Sequence, residues 1–339
     1  MNILISSAGR RVALLECFRQ SLAELGIRGR VIAIDTTRYS PAGQLADAYH
    51  IVPKCTDAYF VAEVLRICEQ EEVGLIVPTI DAELPSYANS LAEFSCHSIR
   101  VCISAPETIS LCGDKCLSHR WLASHDFPVP RQSTPEWVLQ NREQWQLPLI
   151  MKPRTGSGSV GFRVVASFAE LEAICSNIDD LIVEELVSGA EHTVNVFVDR
   201  DSRCLCAVPH LRMEIRGGEV SKALTVKDTR LISLTCHIAE TLPGAHGALN
   251  IQCFLTPSGE IRIIEINPRF GGGYPLAHRA GAHMTTWLLQ EAIGLKPYGP
   301  FDQWQDKLLM LRYDQGVFLS DDILKDDSHV NSVCCVRSR

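Results

Sequence analysis

The chain has 339 residues, 46% hydrophobic and 21% charged, with a net charge of −8. That length supports two or three cored lobes, and the acidic balance excludes nucleic acid or an anionic membrane surface as the main partner. No apolar run nears the roughly 18 residues a membrane-spanning helix needs.

Residues 1–5 enter a strand directly, so the expectation is a cytoplasmic chain with no leader and no membrane contact. Cys17, Cys68, Cys102, Cys175 and Cys253 sit singly in apolar segments. Cys204, Cys206, Cys334 and Cys335 have no His or Cys partners at zinc spacing. These read as reduced, buried thiols.

Residues 1–105 alternate apolar strands with amphipathic helices. Strands are predicted at 2–6, 30–34, 49–52, 75–77 and 101–103. Helices are predicted at 12–25, with Val12, Leu15, Phe18, Leu22 and Leu25 on one side, and at 58–71. This spacing implies a doubly wound parallel sheet. Arg10 and Arg11 follow the first strand in a loop that is not GxGxxG, and Asp35 ends the second strand, where a dinucleotide fold would hold a ribose. A nicotinamide-dependent oxidoreductase is therefore one open reading. Asp81 and Glu83, after the fourth strand, either orient an amine substrate or cap the next helix.

Asp114 is a plausible N-cap for a helix reaching about residue 125, with Lys115 in its first turn. A strand at 147–153 carries Lys152. A Gly/Ser-rich loop follows it, with Gly156, Ser157, Gly158, Ser159 and Gly161, and a strand returns at 162–165. Glycines let backbone N–H groups approach a phosphate closely, though no Walker motif is present. A strand at 181–187 includes Glu184, Glu185, Leu186 and Val187, and Glu191 lies just beyond it. An apolar slot with backbone hydrogen bonds suits an adenine, and a carboxylate suits a ribose diol. Residues 212–227 read as a polar active-site loop or ribbon, in which Arg216 and Lys222 are candidates to reach a phosphate or acyl group. A helix is predicted at 229–242 and another at 283–293.

Two strand-like runs, 249–255 and 260–266, flank Thr256-Pro257-Ser258-Gly259, a hairpin signal. Pairing Leu255 with Glu260 would set Gln252 against Ile263 and Asn250 against Glu265. Asn250, Gln252, Glu265 and Asn267 would share one face, with Ile261, Ile263, Ile264 and Ile266 placing the hairpin in a core. A carboxylate among amide oxygens suits Mg²⁺, which takes few protein ligands. A polar, solvent-facing strand is the alternative.

Glu265-Ile266-Asn267-Pro268-Arg269, preceded by Asn250-Ile251-Gln252, resembles the metal-binding end of the ATP-grasp superfamily, most of all carbamoyl phosphate synthetase large chains. The resemblance covers about residues 1–295. It implies an α/β and α+β chain in three parts: an N-terminal Rossmann-like domain (1–108), a small lobe with the Gly-rich flap (109–186), and a large lobe with the metal site and C-terminal tail (187–339). It implies ATP bound by Lys115, Lys152, the flap, the hinge at 184–187 and Glu191. Mg²⁺, or Mn²⁺ in its place, would be held by Gln252, Glu265 and Asn267, and a substrate carboxylate by Arg269. The expected enzyme is an ADP-forming ligase that joins a small-molecule carboxylate to an amine through an acyl phosphate, with a homodimer allowed. A non-catalytic ATP-binding module is the further alternative. Only one synthetase-like unit is present, which argues against carbamoyl phosphate synthesis itself.

Overall fold

The computed structural model describes residues 1–320 apart from 157, 159, 176, 177 and 179. Among the described residues the strands form three sheets. The first contains β1 (Asn2–Ser6), β2 (Val31–Asp35), β3 (Ala48–Ile51), β4 (Val73–Pro78) and β5 (Arg100–Val101), all parallel, in the order β3-β2-β1-β4-β5. Its central strands are continuous apolar runs because helices cover both faces. Ile3 and Ile5 face helix Val12–Glu24 through Leu15 and Phe18, while Leu4 faces helix Phe60–Gln70 through Val64 and Ile67. The chain runs outward from β1 to β3, then returns to the other side of β1 with β4. The crevice between the loops after β1 and β4 is therefore a topological switch point, where folds of this kind bind ligands.

The second sheet is antiparallel, with β6 (Gln132–Ser133), β7 (Leu149–Pro153), β8 (Arg163–Val165) and β9 (Leu181–Glu185) in the order β6-β9-β7-β8. It has its own core around Leu149, Met151, Val165, Leu171 and Val183. The third holds β10 (Ala190–Val198), β11 (Cys204–Arg216), β12 (Glu219–Thr225), β13 (Gly247–Leu255), β14 (Ile261–Asn267) and β15 (Leu309–Leu311). It is also antiparallel, ordered β14-β13-β10-β11-β12-β15. Helix Thr229–Thr241 packs behind it through Leu231 and Ile238, and its N-cap Asp228 accepts from the Arg230 N–H.

The parallel sheet and the large sheet are not separate cores. Ile3, Phe18, Phe197, Val208, Phe270 and Trp287 belong to one buried cluster. Helix Met284–Ala292 lies against helix Val12–Glu24, with Ser21 Oγ and Thr285 Oγ1 2.8 Å apart. The expected class, a parallel-sheet domain followed by two antiparallel lobes, is the class observed. No helix among the described residues is long and apolar enough to cross a membrane. The C-terminal segment with Cys334 and Cys335 lies outside the described residues.

Candidate active site

The β13–β14 hairpin has a different register from the one expected. Thr256 N–H bonds the Glu260 carbonyl, so pairing begins at Leu255 with Ile261 and the turn is one residue longer. Ile264 then has no partner: Cys253 pairs with Ile263, but Gln252 pairs with Glu265 and Asn250 with Asn267. A regular ladder would have set Glu265 opposite Ile251, on the core face. The bulge keeps the carboxylate out of that core, as bulges near functional sites often do by re-aiming side chains. It corrects the expected alternation as well: Ile263 and Ile266 are buried in the core, whereas Ile264 lines a cleft beside Glu265.

The cleft, of about 330 Å³, lies between the second and third sheets. Most of the predicted nucleotide residues line it: Lys115, Lys152, Gly156, Gly158, Glu184, Glu185, Leu186, Val187 and Glu191, with Gln252 and Glu265 on the opposite wall. Lys152 Nζ pairs with Glu184 Oε2 at 2.7 Å, both side chains buried, and Gln132 Nε2 donates to Glu184 Oε1 at 2.8 Å. The Glu184 carboxylate is thus engaged by Lys152 and Gln132. Lys115 Nζ donates to the Gly156 carbonyl at 2.7 Å, tying the helix that Asp114 caps to the base of the flap.

The flap reaches the turn between β11 and β12. A Cβ on Gly218 would stand 3.1 Å from the Gly158 carbonyl oxygen, so two glycine backbones meet there and roof the cleft. Gly161, at φ +75°, lies against Pro153 and not in the cleft. Ser157 and Ser159 lie outside the described residues.

At the hairpin end, Gln252 Nε2 donates to Glu265 Oε2 at 3.1 Å. The Asn267 amide is assigned in the orientation that satisfies both its ends. Its nitrogen is 3.2 Å from each Asp81 carboxylate oxygen and its oxygen accepts from Gln252 Nε2 at 3.1 Å. Asp81 in turn accepts from Arg269 Nη2 at 2.5 Å. A continuous polar chain therefore runs from Glu265 through Gln252, Asn267 and Asp81 to Arg269.

Glu265 is in no ion pair among the described residues. Burial raises the Glu191 carboxyl above its usual range; Arg212 pulls it back and the Glu265 charge adds to the rise. Burial also pushes the Lys115 ammonium down, while Glu265 draws it up. A carboxylate with two side-chain amides beside it, each able to turn its oxygen to a cation, is a donor set that fits a hard divalent cation. The set contains few carboxylates, which suits Mg²⁺ because phosphate and water complete its shell. Among the described residues no cluster of three His, Cys, Asp or Glu could hold a metal by itself.

Two predicted catalytic residues lie elsewhere. Lys222 pairs with Glu214 Oε2 at 2.7 Å, and Arg216 with Asp314 Oδ2 at 3.2 Å; neither lines the cleft. An irregularity in β11 explains this: the register shifts between Arg212 and Ile215, so Glu214 does not stay on the Arg212 face and Ile215 takes the cleft side. Lys222 is directly across from Glu214 on the β11–β12 ribbon, on its solvent side. The basic residue the ribbon sends inward is Arg212, whose Nε lies 2.8 Å from Glu191 Oε1. The β10–β11 pairing, His192 with Leu211, brings Arg212 level with Glu191, so a register worked out from the sequence would have found it. Phe254 and Ile264 also line the cleft and were not foreseen.

The loops of the parallel sheet resolve two open readings. Glu83 is fully buried and accepts from Ser6 Oγ at 2.5 Å, Ser7 Oγ at 2.8 Å, Thr79 N–H at 2.7 Å and Ile80 N–H at 3.1 Å. It ties the β1 and β4 loops together. Asp81 is the carboxylate that faces the site. Asp35 accepts from Gly9 N–H and Thr36 N–H, each at 2.7 Å, so backbone donors already engage both of its carboxylate oxygens.

A parallel-sheet domain, a flap-bearing small lobe and a large lobe that clasp a charged cleft define an ATP-grasp architecture. Residues 112–273 match the family model described as ATP-grasp domain, and residues 3–102 the one described as PylC-like, N-terminal domain. The chain belongs to the ATP-grasp proteins and resembles the carbamoyl phosphate synthase large chain. It is 27% identical over 284 residues to that protein from Methanothermobacter thermautotrophicus, covering 77% of this chain but only 26% of the relative. The chain thus spans about a quarter of that relative's length. Two solved structures share the fold. The biotin carboxylase domain of Hydrogenobacter thermophilus 2-oxoglutarate carboxylase, solved with MgADP and bicarbonate, superposes with a TM-score of 0.74 at 17% identity, over 91% of this chain and 73% of that one. N5-carboxyaminoimidazole ribonucleotide synthetase from Thermotoga maritima gives 0.64 at 19% identity, over 89% and 78%.

Proposed function

We propose that this protein is an ATP-dependent ligase that activates a carboxylate as an acyl phosphate, releasing ADP and phosphate, and passes the acyl group to an amine. One observation carries the reading: the bulged hairpin brings Gln252 and Glu265, with Asn267 hydrogen-bonded to Gln252 behind them, into the same cleft as Lys115, Lys152 and the flap. Gln252, Glu265 and Asn267 would hold Mg²⁺ or Mn²⁺, which would offset phosphate charge as the γ-phosphoryl group moves. Lys115 and Lys152 are assigned to the phosphates. Backbone groups of Glu185, Leu186 and Val187 would read the adenine edge, and Glu191, held by Arg212, the ribose. Arg269, steadied by Asp81, is assigned to the reacting carboxylate.

Positive charge then sits between the terminal phosphate and the substrate carboxylate, which favours attack at the γ-phosphorus. The reading keeps the small-molecule substrates, the cytoplasmic location and the domain limits near residues 108 and 186 proposed from the sequence. A screen of carboxylates and amines with ATP and Mg²⁺, read by ADP and phosphate release, tests it. With the substrate in hand, ¹⁸O from its carboxylate should appear in the phosphate. AMP as product, or unlabelled phosphate, refutes the acyl-phosphate route.

A further inference from the structure

Beyond Asp81 three guanidiniums converge on the switch-point crevice. Arg11 follows β1, Arg269 follows β14 and Arg312 follows β15. They share two carboxylates. Glu219 lies 3.1 Å from Arg11 Nη1 and 3.2 Å from Arg312 Nη1, and Asp81 lies 2.5 Å from Arg269 Nη2. The group therefore carries a positive charge in excess, and Arg10 adds to the field at Glu219.

Not every donor is aligned with a partner, although Arg11 Nη1 lies within ion-pair distance of Glu219. Arg11 Nη1 and Arg269 Nε are buried and make no aligned hydrogen bond among the described residues. Burial pushes the Arg11 guanidinium below its usual value and Glu219 only partly restores it, with Arg269 and Arg312 pushing it further down. Burial would raise the Glu219 carboxyl, but Arg11 and Arg312 outweigh it and hold it low and ionised. The backbone is shaped around the pair: a Cβ on Gly272 would stand 2.8 Å from the Glu219 carboxyl carbon and 3.0 Å from Arg11 Nη1. A purely structural ion-pair group would be balanced, since two partly buried cations that share one carboxylate leave a charge uncompensated until an anion reaches it.

We propose that this crevice is a specificity subsite in which Arg11 and Arg312, aligned by Glu219, bind a carboxylate or phosphate oxyanion on a part of the substrate other than the carboxylate that reacts. The guanidinium fork matches either oxyanion. Arg269 lies between this crevice and the hairpin, so one substrate would reach from the reacting centre to the subsite. That the oxyanion belongs to the substrate rests on the ligase reading; the anion site itself does not.

The test is calorimetric titration of malonate and of inorganic phosphate into the full chain. The protein is first saturated with Mg²⁺ and a non-hydrolysable ATP analogue, so that the triphosphate positions are filled. Wild type should bind at least one of the two anions, and the preferred one identifies the chemistry. Arg11→Gln and Arg312→Gln should each weaken that binding about tenfold or more with analogue affinity unchanged. Arg312, at a sheet edge, decides the matter if Arg11→Gln does not fold. No anion binding in wild type, or equal binding in the variants, overturns the subsite. If the analogue itself does not bind, the ligase reading fails, while anion titration of the protein alone still reads the subsite.

Discussion

The hairpins β13–β14 and β7–β8 deliver charge to the cleft from opposite walls, and they are supported differently. The polar face of β13–β14 is backed by Ile251, Cys253, Ile263 and Ile266, all buried in the large-lobe core. In β7–β8 only the base is packed, through Leu149, Met151 and Val165. Val160 is 79% exposed and Phe162 47%; among the described residues the loop between the strands is tied down at its start, where Arg154 pairs with Asp114 and Lys115 bonds Gly156, and further on meets the β11–β12 turn at Gly158. Residues that must hold a fixed geometry stand on the supported hairpin. Those that must admit and cover a nucleotide stand on the one that can open.

The strongest way to break this contrast is Glu265→Ala. The side chain works at the cleft and not in the core, so ADP release with the substrate found by the screen should fall by about 100-fold or more, with the melting temperature within about 3 °C of wild type. Wild-type turnover at saturating Mg²⁺ would remove the metal assignment. Lys152→Met should behave in the opposite way: it strands the buried Glu184 and should cost about 3 kcal/mol by chemical denaturation. Adding Glu184→Gln should recover much of that loss. Equal stability of the single variant would show that the pair is open to water.

A pH test probes the wall beneath the hairpin. His210 is fully buried beside Gly273, and burial, with Arg212 and His192, holds its pKa down to about 3. Above the unfolded value of about 6.5 both states are neutral and nothing is lost. Below it the unfolded chain takes a proton the folded chain refuses, so stability should fall by up to about 1.4 kcal/mol per pH unit as pH drops from about 6 to 4. His210→Gln should flatten that slope; an unchanged slope would assign it to other groups. The smallest effect concerns the flap. Amide exchange in residues 154–162 should slow when the ATP analogue binds, while β13–β14 stays as protected as before. Equal changes in both hairpins would erase the contrast between them.

The parallel sheet was legible because Ile3–Ile5 and their partners form unbroken apolar runs between helices, a pattern few other architectures produce. The hairpin's chemistry was legible too, since amides and a carboxylate spaced by two along a strand must share a face. Its register was not: the longer turn depends on the Thr256–Glu260 hydrogen bond, and the bulge at Ile264 depends on a core that sequence alone does not display. Lys222 and Arg216 were picked out ahead of Arg212, which lines the cleft, because a polar ribbon reads alike on both faces until its pairing is known. Arg312 passed unremarked because its neighbours in space, Glu219 and Arg11, are 93 and 301 positions away in sequence.

The spare residue at 264 has a consequence for how this hairpin tolerates changes of length. On the turn side the pairing is fixed by Leu255 and Ile261, and on the site side by Gln252 and Glu265; Ile264 lies between the two halves with no partner. A chain lacking Ile264 would form a regular ladder in which Glu265 still stood opposite Gln252. Residues gained or lost within the exposed turn at 256–260 would be absorbed before they reached the site. The cleft end of the hairpin is thus insulated from insertions and deletions at its tip.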